Sequence, residues 1–279
     1  MRGNASRAAV LVTASCLVMF VWAFPVLWTL LTSLKTDVDV LAYPPIVVFE
    51  PRWRNYLDVL FGPTPILPRL RDSLAVSVLT TAITIALAVP AAYGFARLRF
   101  RGQRALGFYV LAAQMLPRIG LVIPYFLLMN GIGWIDTYRA LVVVYLTFSL
   151  PFAIWLMVSY FEDIPREMEE AAFLDRASRL RTFWHVILPQ VRGGIAVTVI
   201  FVFLNAWNEF LFAVLLGGRN VQTVTVYMFN FAGIEQTQWA RLSAAGIIAM
   251  LPVIVIGLVG QRHIVKVLTI GAVKGGGRR

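Results

Sequence analysis

Long apolar stretches broken by short polar ones set the pattern of this chain. Uncharged apolar runs cover 8–34, 73–96, 140–161 and 242–261. Two further runs carry a single charge each: 105–135 holds Arg118, and 193–218 holds Glu209. A helix needs about 20 apolar residues to cross about 30 Å of hydrocarbon at 1.5 Å per residue. The pattern therefore predicts an all-α integral membrane protein with six transmembrane helices and both termini on one side. The expected organisation is a first helix and external loop over 1–72, a membrane core over 73–265 and a tail over 266–279.

Composition agrees with that pattern. Of 279 residues 59% are hydrophobic and only 14% charged, against roughly 25% charged in soluble domains. The net charge of +11 sits in short loops and at the termini. With the termini and even loops on one side, that side holds two basic residues before the first span, four from Arg97 to Arg104, five from Arg166 to Arg192 and five after the last span, sixteen against eight opposite. The positive-inside bias then makes both termini cytoplasmic. Nucleic acid is not the implied partner; membrane lipid is. The single cysteine, Cys16, excludes a disulfide framework or a cysteine metal site within the chain. The run around Cys16 continues to Leu34, which suits a retained span better than a cleaved signal.

Polar residues inside the runs mark three places. Ser73, Ser77, Thr80, Thr81 and Thr84 recur every three or four residues and share one helix face. They suit close helix packing, or the lining of a solute path with Thr80 and Thr84 as candidates. Asn205, Asn208 and Glu209 share a face of the fifth span. A carboxylate at this depth must face protein or a wet cavity, so they are either structural or path-lining. Arg118 follows Pro117, where the helix must kink or break. It can serve freed carbonyls or contact a polar solute.

The loop between spans four and five is different again. It opens Ile164-Pro165-Arg166-Glu167-Met168-Glu169-Glu170-Ala171-Ala172-Phe173-Leu174-Asp175-Arg176-Ala177-Ser178 and reaches Pro189. Pro165 and the acids that follow favour a helix start, and Ser178 suits the cap of a second short helix. Five acids from Glu162 to Glu170 suit anionic lipid poorly, so a protein partner is the better reading.

Glu170-Ala171-Ala172, Asp175, Ala177 and Pro189 resemble the EAA motif of ABC importer permeases. With Pro90-Ala91-Ala92-Tyr93-Gly94-Phe95-Ala96-Arg97, Leu150-Pro151-Phe152, Trp207-Asn208-Glu209-Phe210 and Gly271-Ala272-Val273-Lys274-Gly275, the chain is similar to the MalG-like permeases of maltose-type carbohydrate importers. The resemblance implies a MetI-like ABC importer permease fold in the cell membrane. It also implies a cytoplasmic EAA coupling helix, with Glu169, Glu170, Ala171, Ala172, Asp175, Arg176, Ala177 and Pro189 at the ATPase. Gly271, Lys274 and Gly275 would form a second coupling contact in the tail. The implied partners are a second permease, two ATPase subunits that bind ATP and Mg, an extracytoplasmic binding protein and a sugar. This chain would bind no cofactor and catalyse nothing. Arg176 departs from the family, which usually has glycine after the motif aspartate.

Two other readings compete on the residues alone. An ion-coupled secondary transporter predicts an internal repeat and more buried ionisable groups. A membrane enzyme predicts a cluster of reactive residues at one depth. No phosphate-binding glycine loop of the Gly-x4-Gly-Lys-Ser/Thr kind occurs, and the two histidines, His185 and His263, have no ligand cluster around them.

Overall fold

The computed structural model describes residues 2–232 and 237–275, with side chains described for 11–232 and 237–261. Among the described residues everything regular is helical, apart from one bridge between Ala232 and Thr237. In chain order the helices are α1 (Arg2–Ser33), α2 (Asp37–Leu41), α3 (Arg54–Phe61), α4 (Leu67–Arg97), α5 (Gln103–Met115), α6 (Val122–Gly131), α7 (Tyr138–Glu162), α8 (Glu167–Leu174), α9 (Arg179–Thr182), α10 (Leu188–Gln190), α11 (Arg192–Trp207), α12 (Leu211–Leu216), α13 (Val224–Phe229) and α14 (Trp239–Gly275).

Four segments are long and apolar enough to cross a membrane: Leu11–Ser33, Leu67–Arg97, Tyr138–Glu162 and Trp239–Gln261. Two bent pairs raise the number to six if each is one span. The first joins Gln103–Met115 to Arg118–Gly131 at 95°. Leu116 and Pro117 are both extended there, so the break falls where proline withholds a backbone donor. The second joins Arg179–Gln190 to Arg192–Trp207 at 73°. Pro189 sits close to that break, where the loop gives way to the fifth span. It lies inside α10, behind a widened π turn over Phe183–Ile187, and the chain bends two residues later at Val191. α11 has only 16 residues, too few for a span alone; α12 prolongs it beyond the interruption at Asn208–Phe210.

The chain forms two compact units, Met1–Pro68 with Tyr227–Leu251, and Arg69–Val226 with Pro252–Arg279. The first unit takes in residues 227–251, which the sequence reading placed in the core. In this unit the most apolar part of α1 buries none of its residues within the chain, which fits lipid contact. The expected external loop is a folded pad. The Asn55 amide donates to the carbonyls of Ser33 and Lys35 at 2.9 and 2.8 Å. The Tyr56 and Ser33 hydroxyls meet at 2.7 Å. The Lys35 ammonium lies over the Trp28 and Phe49 rings, where ring quadrupoles offset its desolvation. Asp58 pairs with Arg241 at 3.0 Å, and Asp37 accepts the Ala240 N–H in the first turn of α14.

The second unit is built around α4, α7 and α11. Val89 and Ala92 of α4 pack with Met157 and Phe161 of α7 and with Phe183 and Ile187 of the following loop. Ala88, Ala153, Ile154 and Val202 bring α4, α7 and α11 together. Gly194 matters here because a Cβ would fall inside the Tyr160 ring, so α11 approaches α7 only without a side chain at that point. At the opposite end from Arg97, Asp136 accepts the N–H groups of Arg219, Asn220 and Val221 at 2.9–3.1 Å. That carboxylate clamps the turn after α12 to the start of α7.

Candidate functional site

Three features of the second unit place the residues singled out in the sequence. The first is the loop helix α8. Glu167, Glu169 and Glu170 occupy its first turn, where carboxylates favour the positive end of the helix dipole. Ser178 accepts the Arg181 N–H and caps α9, as its position suggested.

The motif residues divide between two faces of α8. Glu169 and Ala172 are buried, whereas Glu170, Ala171, Asp175 and Arg176 are exposed, and Ala177 is half-buried. Glu169 Oε1 lies 2.6 Å from Arg97 Nε, with side chains only 11% and 5% exposed. Arg97 Nη2 also donates to the Ile164 carbonyl at 2.6 Å. The Tyr93 hydroxyl donates to Glu169 Oε2 at 3.3 Å, and its ring packs on Phe161 and Phe183. The end of α4 is therefore tied both to α8 and to the turn before it. Arg97 and Tyr93 were absent from the residues expected at this site.

Arg176 explains its own departure from the family. It takes φ +57°, the left-handed conformation that glycine adopts without penalty. The turn is thus kept, and an arginine is held in it. The backbone explains how: the N–H groups of Arg176 and Ala177 donate to the Phe173 and Ala172 carbonyls and close the C-terminus of α8. Gly271, Lys274 and Gly275 lie in α14, but their side chains are outside the described residues.

The second feature is the break in the third span. Arg118 Nη1 donates to Glu209 Oε2 at 2.6 Å, so the two charges found separately in the sequence satisfy each other across 91 residues. Arg118 is 44% exposed along its side chain and Glu209 only 8%. The guanidinium carbon sits 5.0 Å from the Phe148 ring centre. Glu209 Oε1 accepts the Phe212 N–H and caps α12. Glu209 thus faces protein, as a carboxylate at membrane depth must. Asn205 and Asn208 are exposed and each donates back to its own helix, to the Phe201 and Leu204 carbonyls.

The third feature is the hydroxyl stripe of α4. Ser73, Ser77, Thr80, Thr81 and Thr84 are all buried, with Ser77, Thr80 and Thr84 at 0% exposure. Thr80 and Thr84 are thus outside any path open in this conformation. The hydroxyls of Ser77, Thr80 and Thr84 have no hydrogen-bond partner among the described residues, whereas Thr81 donates to the Ser77 carbonyl at 2.7 Å. Among the described residues no group of three or more His, Cys, Asp or Glu side chains forms a metal site.

The comparisons bear on this arrangement. Residues 84–269 match the model of the binding-protein-dependent transport system inner membrane component family. The chain is 34% identical over 278 residues to the trehalose/maltose transport system permease protein MalG of Thermococcus litoralis, covering 99% of this chain and 100% of that one. It is 36% identical over 278 residues to the trehalose transport system permease protein SugB of Mycobacterium tuberculosis, covering 98% and 100%. A bacterial ABC transporter involved in import of the acidic polysaccharide alginate has a similar fold, with a TM-score of 0.74 at 22% identity over 94% of this chain and 98% of that one. The chain belongs to the binding-protein-dependent transport system inner membrane component family, the non-enzymatic permease subunits of ABC importers, and is similar to its sugar-transporting members.

Proposed function

We propose that this chain is one half of the pathway of an ATP-driven importer for a sugar or sugar-like solute, and that α8 is the element its ATPase grips. The observation that carries the reading is the two-sided character of α8. Its inner face is anchored by the Arg97–Glu169 pair. Its outer side presents Glu170 and Ala171, with Phe173 and Leu174 42% and 86% exposed. Leu180 and Trp184 extend that apolar surface. Exposed apolar side chains beside a firmly anchored helix mark a docking surface.

On this reading the termini and the α7–α11 loop are cytoplasmic, in line with the basic residues counted there. A second permease completes the pathway, an extracytoplasmic binding protein delivers the solute, and two ATPase subunits bind ATP and Mg. Closure of the ATPases moves α8, and Arg97 passes that movement to α4. The cavity then opens outward and receives the sugar, and hydrolysis returns it inward. Glu170, Ala171, Asp175, Arg176 and Ala177 belong to the coupling surface, and Gly271, Lys274 and Gly275 to a second contact in the tail over 266–279. Trehalose and maltose are the first solutes to try, because two relatives carry those names.

The test is Ala171→Arg, a large charged side chain placed on the exposed face. The complex reconstituted with this variant should lose ATP-dependent uptake and its association with the ATPase, while still assembling with the second permease. Wild-type uptake by the variant, or ATP-independent transport by the chain alone, contradicts the reading.

A further inference from the structure

Between α5 and α7, away from α8 and from the Arg118–Glu209 pair, runs a groove of about 390 Å³. Arg104 in the first turn of α5 and Glu162, the last residue of α7, border one end of it. Both are exposed. Neither side chain has an ion-pair or hydrogen-bond partner among the described residues. Arg99, Arg101 and Asp163 lie in the flanking turns and do not border the groove.

Away from that end the walls turn apolar, with Val110 and Leu111 on α5 and Ile154, Trp155 and Val158 on α7. Ile154 precedes Glu162 by eight residues, which is about 12 Å deeper into the span. Leu111 and Trp155 are 44% and 55% exposed, so the groove lies open along one side. Gly107 widens it. A Cβ there would meet only the Phe95 ring, at 3.9 Å, so this part of the groove is empty because glycine has no side chain.

The shape is that of a lipid: a charged end where a span meets the headgroups, and an apolar channel running inward from it. Hydrocarbon gains little by leaving other hydrocarbon, so the channel supplies fit and the charged end supplies selectivity. Two opposite charges that do not pair with each other suit a headgroup that carries both. A phosphate suits Arg104. Gly102 precedes α5 without a side-chain cap, so first-turn N–H groups add to that attraction. A primary ammonium, with three N–H donors, suits the Glu162 carboxylate. A headgroup with phosphate alone would set its charge beside that carboxylate, which disfavours it. A quaternary ammonium has no N–H to donate.

We propose that this groove binds phosphatidylethanolamine on the membrane side that carries α8, with the phosphate on Arg104, the ammonium on Glu162 and one acyl chain along α5 and α7. The site is additional to the importer reading and does not depend on what α8 grips.

The test uses the complex purified from its own membrane and stripped of lipid in mild detergent. Dioleoyl phosphatidylethanolamine, phosphatidylglycerol and phosphatidylcholine are titrated separately, and lipid retained is counted by native mass spectrometry. The parent should hold the ethanolamine lipid about tenfold more tightly than either of the others. Arg104→Gln should weaken it by about tenfold. Glu162→Gln should bring phosphatidylglycerol to within about twofold of phosphatidylethanolamine. Gly107→Leu, which fills the channel, should abolish retention while melting no lower than the lipid-free parent, because leucine favours a helix more than glycine does.

Phosphatidylglycerol or phosphatidylcholine held by the parent as tightly as phosphatidylethanolamine overturns the headgroup assignment, whether or not the variants assemble. Full retention in Gly107→Leu puts the lipid elsewhere and overturns the groove as its site. A photoreactive residue in place of Leu111 that captures a neighbouring subunit and no lipid gives the groove to a protein contact and overturns the proposal. ATP-dependent uptake is read in none of these measurements, so the importer reading stands or falls separately.

Discussion

Replacing Arg97 by methionine tests the strut between α4 and α8 directly. The substitution keeps an apolar stem of similar length and removes the charge. Glu169, 11% exposed along its side chain, would keep only the Tyr93 hydroxyl at 3.3 Å, and the Ile164 carbonyl would lose this donor. Removing one partner of a buried ion pair costs about 3–5 kcal/mol, because a charge is left uncompensated. Removing both, in Arg97→Met with Glu169→Met, leaves only the orphaned hydroxyl and carbonyl, at about 1 kcal/mol each. The double variant should therefore be more stable than either single one by about 1–3 kcal/mol, so that the two single losses are far from additive. Detergent-exchange unfolding of the purified permease pair in mixed micelles reads these differences. Transport should separate from stability: the double variant folds, but α8 is no longer tied to α4, so sugar moved per ATP falls several-fold. A single-variant loss below about 1 kcal/mol, or additive losses in the double variant, would refute the strut. Normal sugar-to-ATP stoichiometry in a folded double variant would refute its role in coupling.

Further outcomes follow from other contacts. Arg176→Gly relieves the φ of +57° and should stabilise the assembled complex by about 1 kcal/mol with uptake retained, whereas Arg176→Glu should uncouple hydrolysis from uptake; equal activity of both variants contradicts the assignment of Arg176 to the coupling surface. Asp136→Ala removes the acceptor for three backbone N–H groups, and amide exchange at 219–221 should quicken by the equivalent of about 1–3 kcal/mol; unchanged exchange contradicts the clamp. Thr80→Val and Thr84→Val, at positions fully buried in the chain, should leave uptake unchanged and stability within about 1 kcal/mol. A selective loss of uptake in either would return them to the solute path.

The helical pattern was legible wherever local signals were sufficient. The spans over 73–96 and 140–161 are α4 and α7 because apolar length alone specifies them, and Pro117 located the break in the third span through its missing donor. Ser178 capped its helix as its position suggested. What could not be read was pairing between distant segments. Arg97 is one of four arginines within eight residues, and nothing local tells which one folds back on a carboxylate 72 residues later. Arg118 and Glu209 were both noticed because charge is costly at membrane depth, yet only the fold shows that they satisfy each other. The hydroxyl stripe was ambiguous for a related reason: spacing tells which residues share a face, not whether that face meets another helix or a cavity. Pro189 lies only two residues before the bend at Val191, but the π turn over Phe183–Ile187 that precedes it carried no local signal.

The central claim is that α8 is the grip through which an ATPase drives this half of the pathway. Leu174 is the place to test it, being 86% exposed on the outward side of α8. A photo-crosslinking residue at position 174 of the reconstituted importer should capture the ATPase subunit, with a yield that changes between the nucleotide-free and ATP-bound states. Capture of lipid alone, with ATP-dependent uptake intact and no ATPase crosslinked in either state, would contradict it.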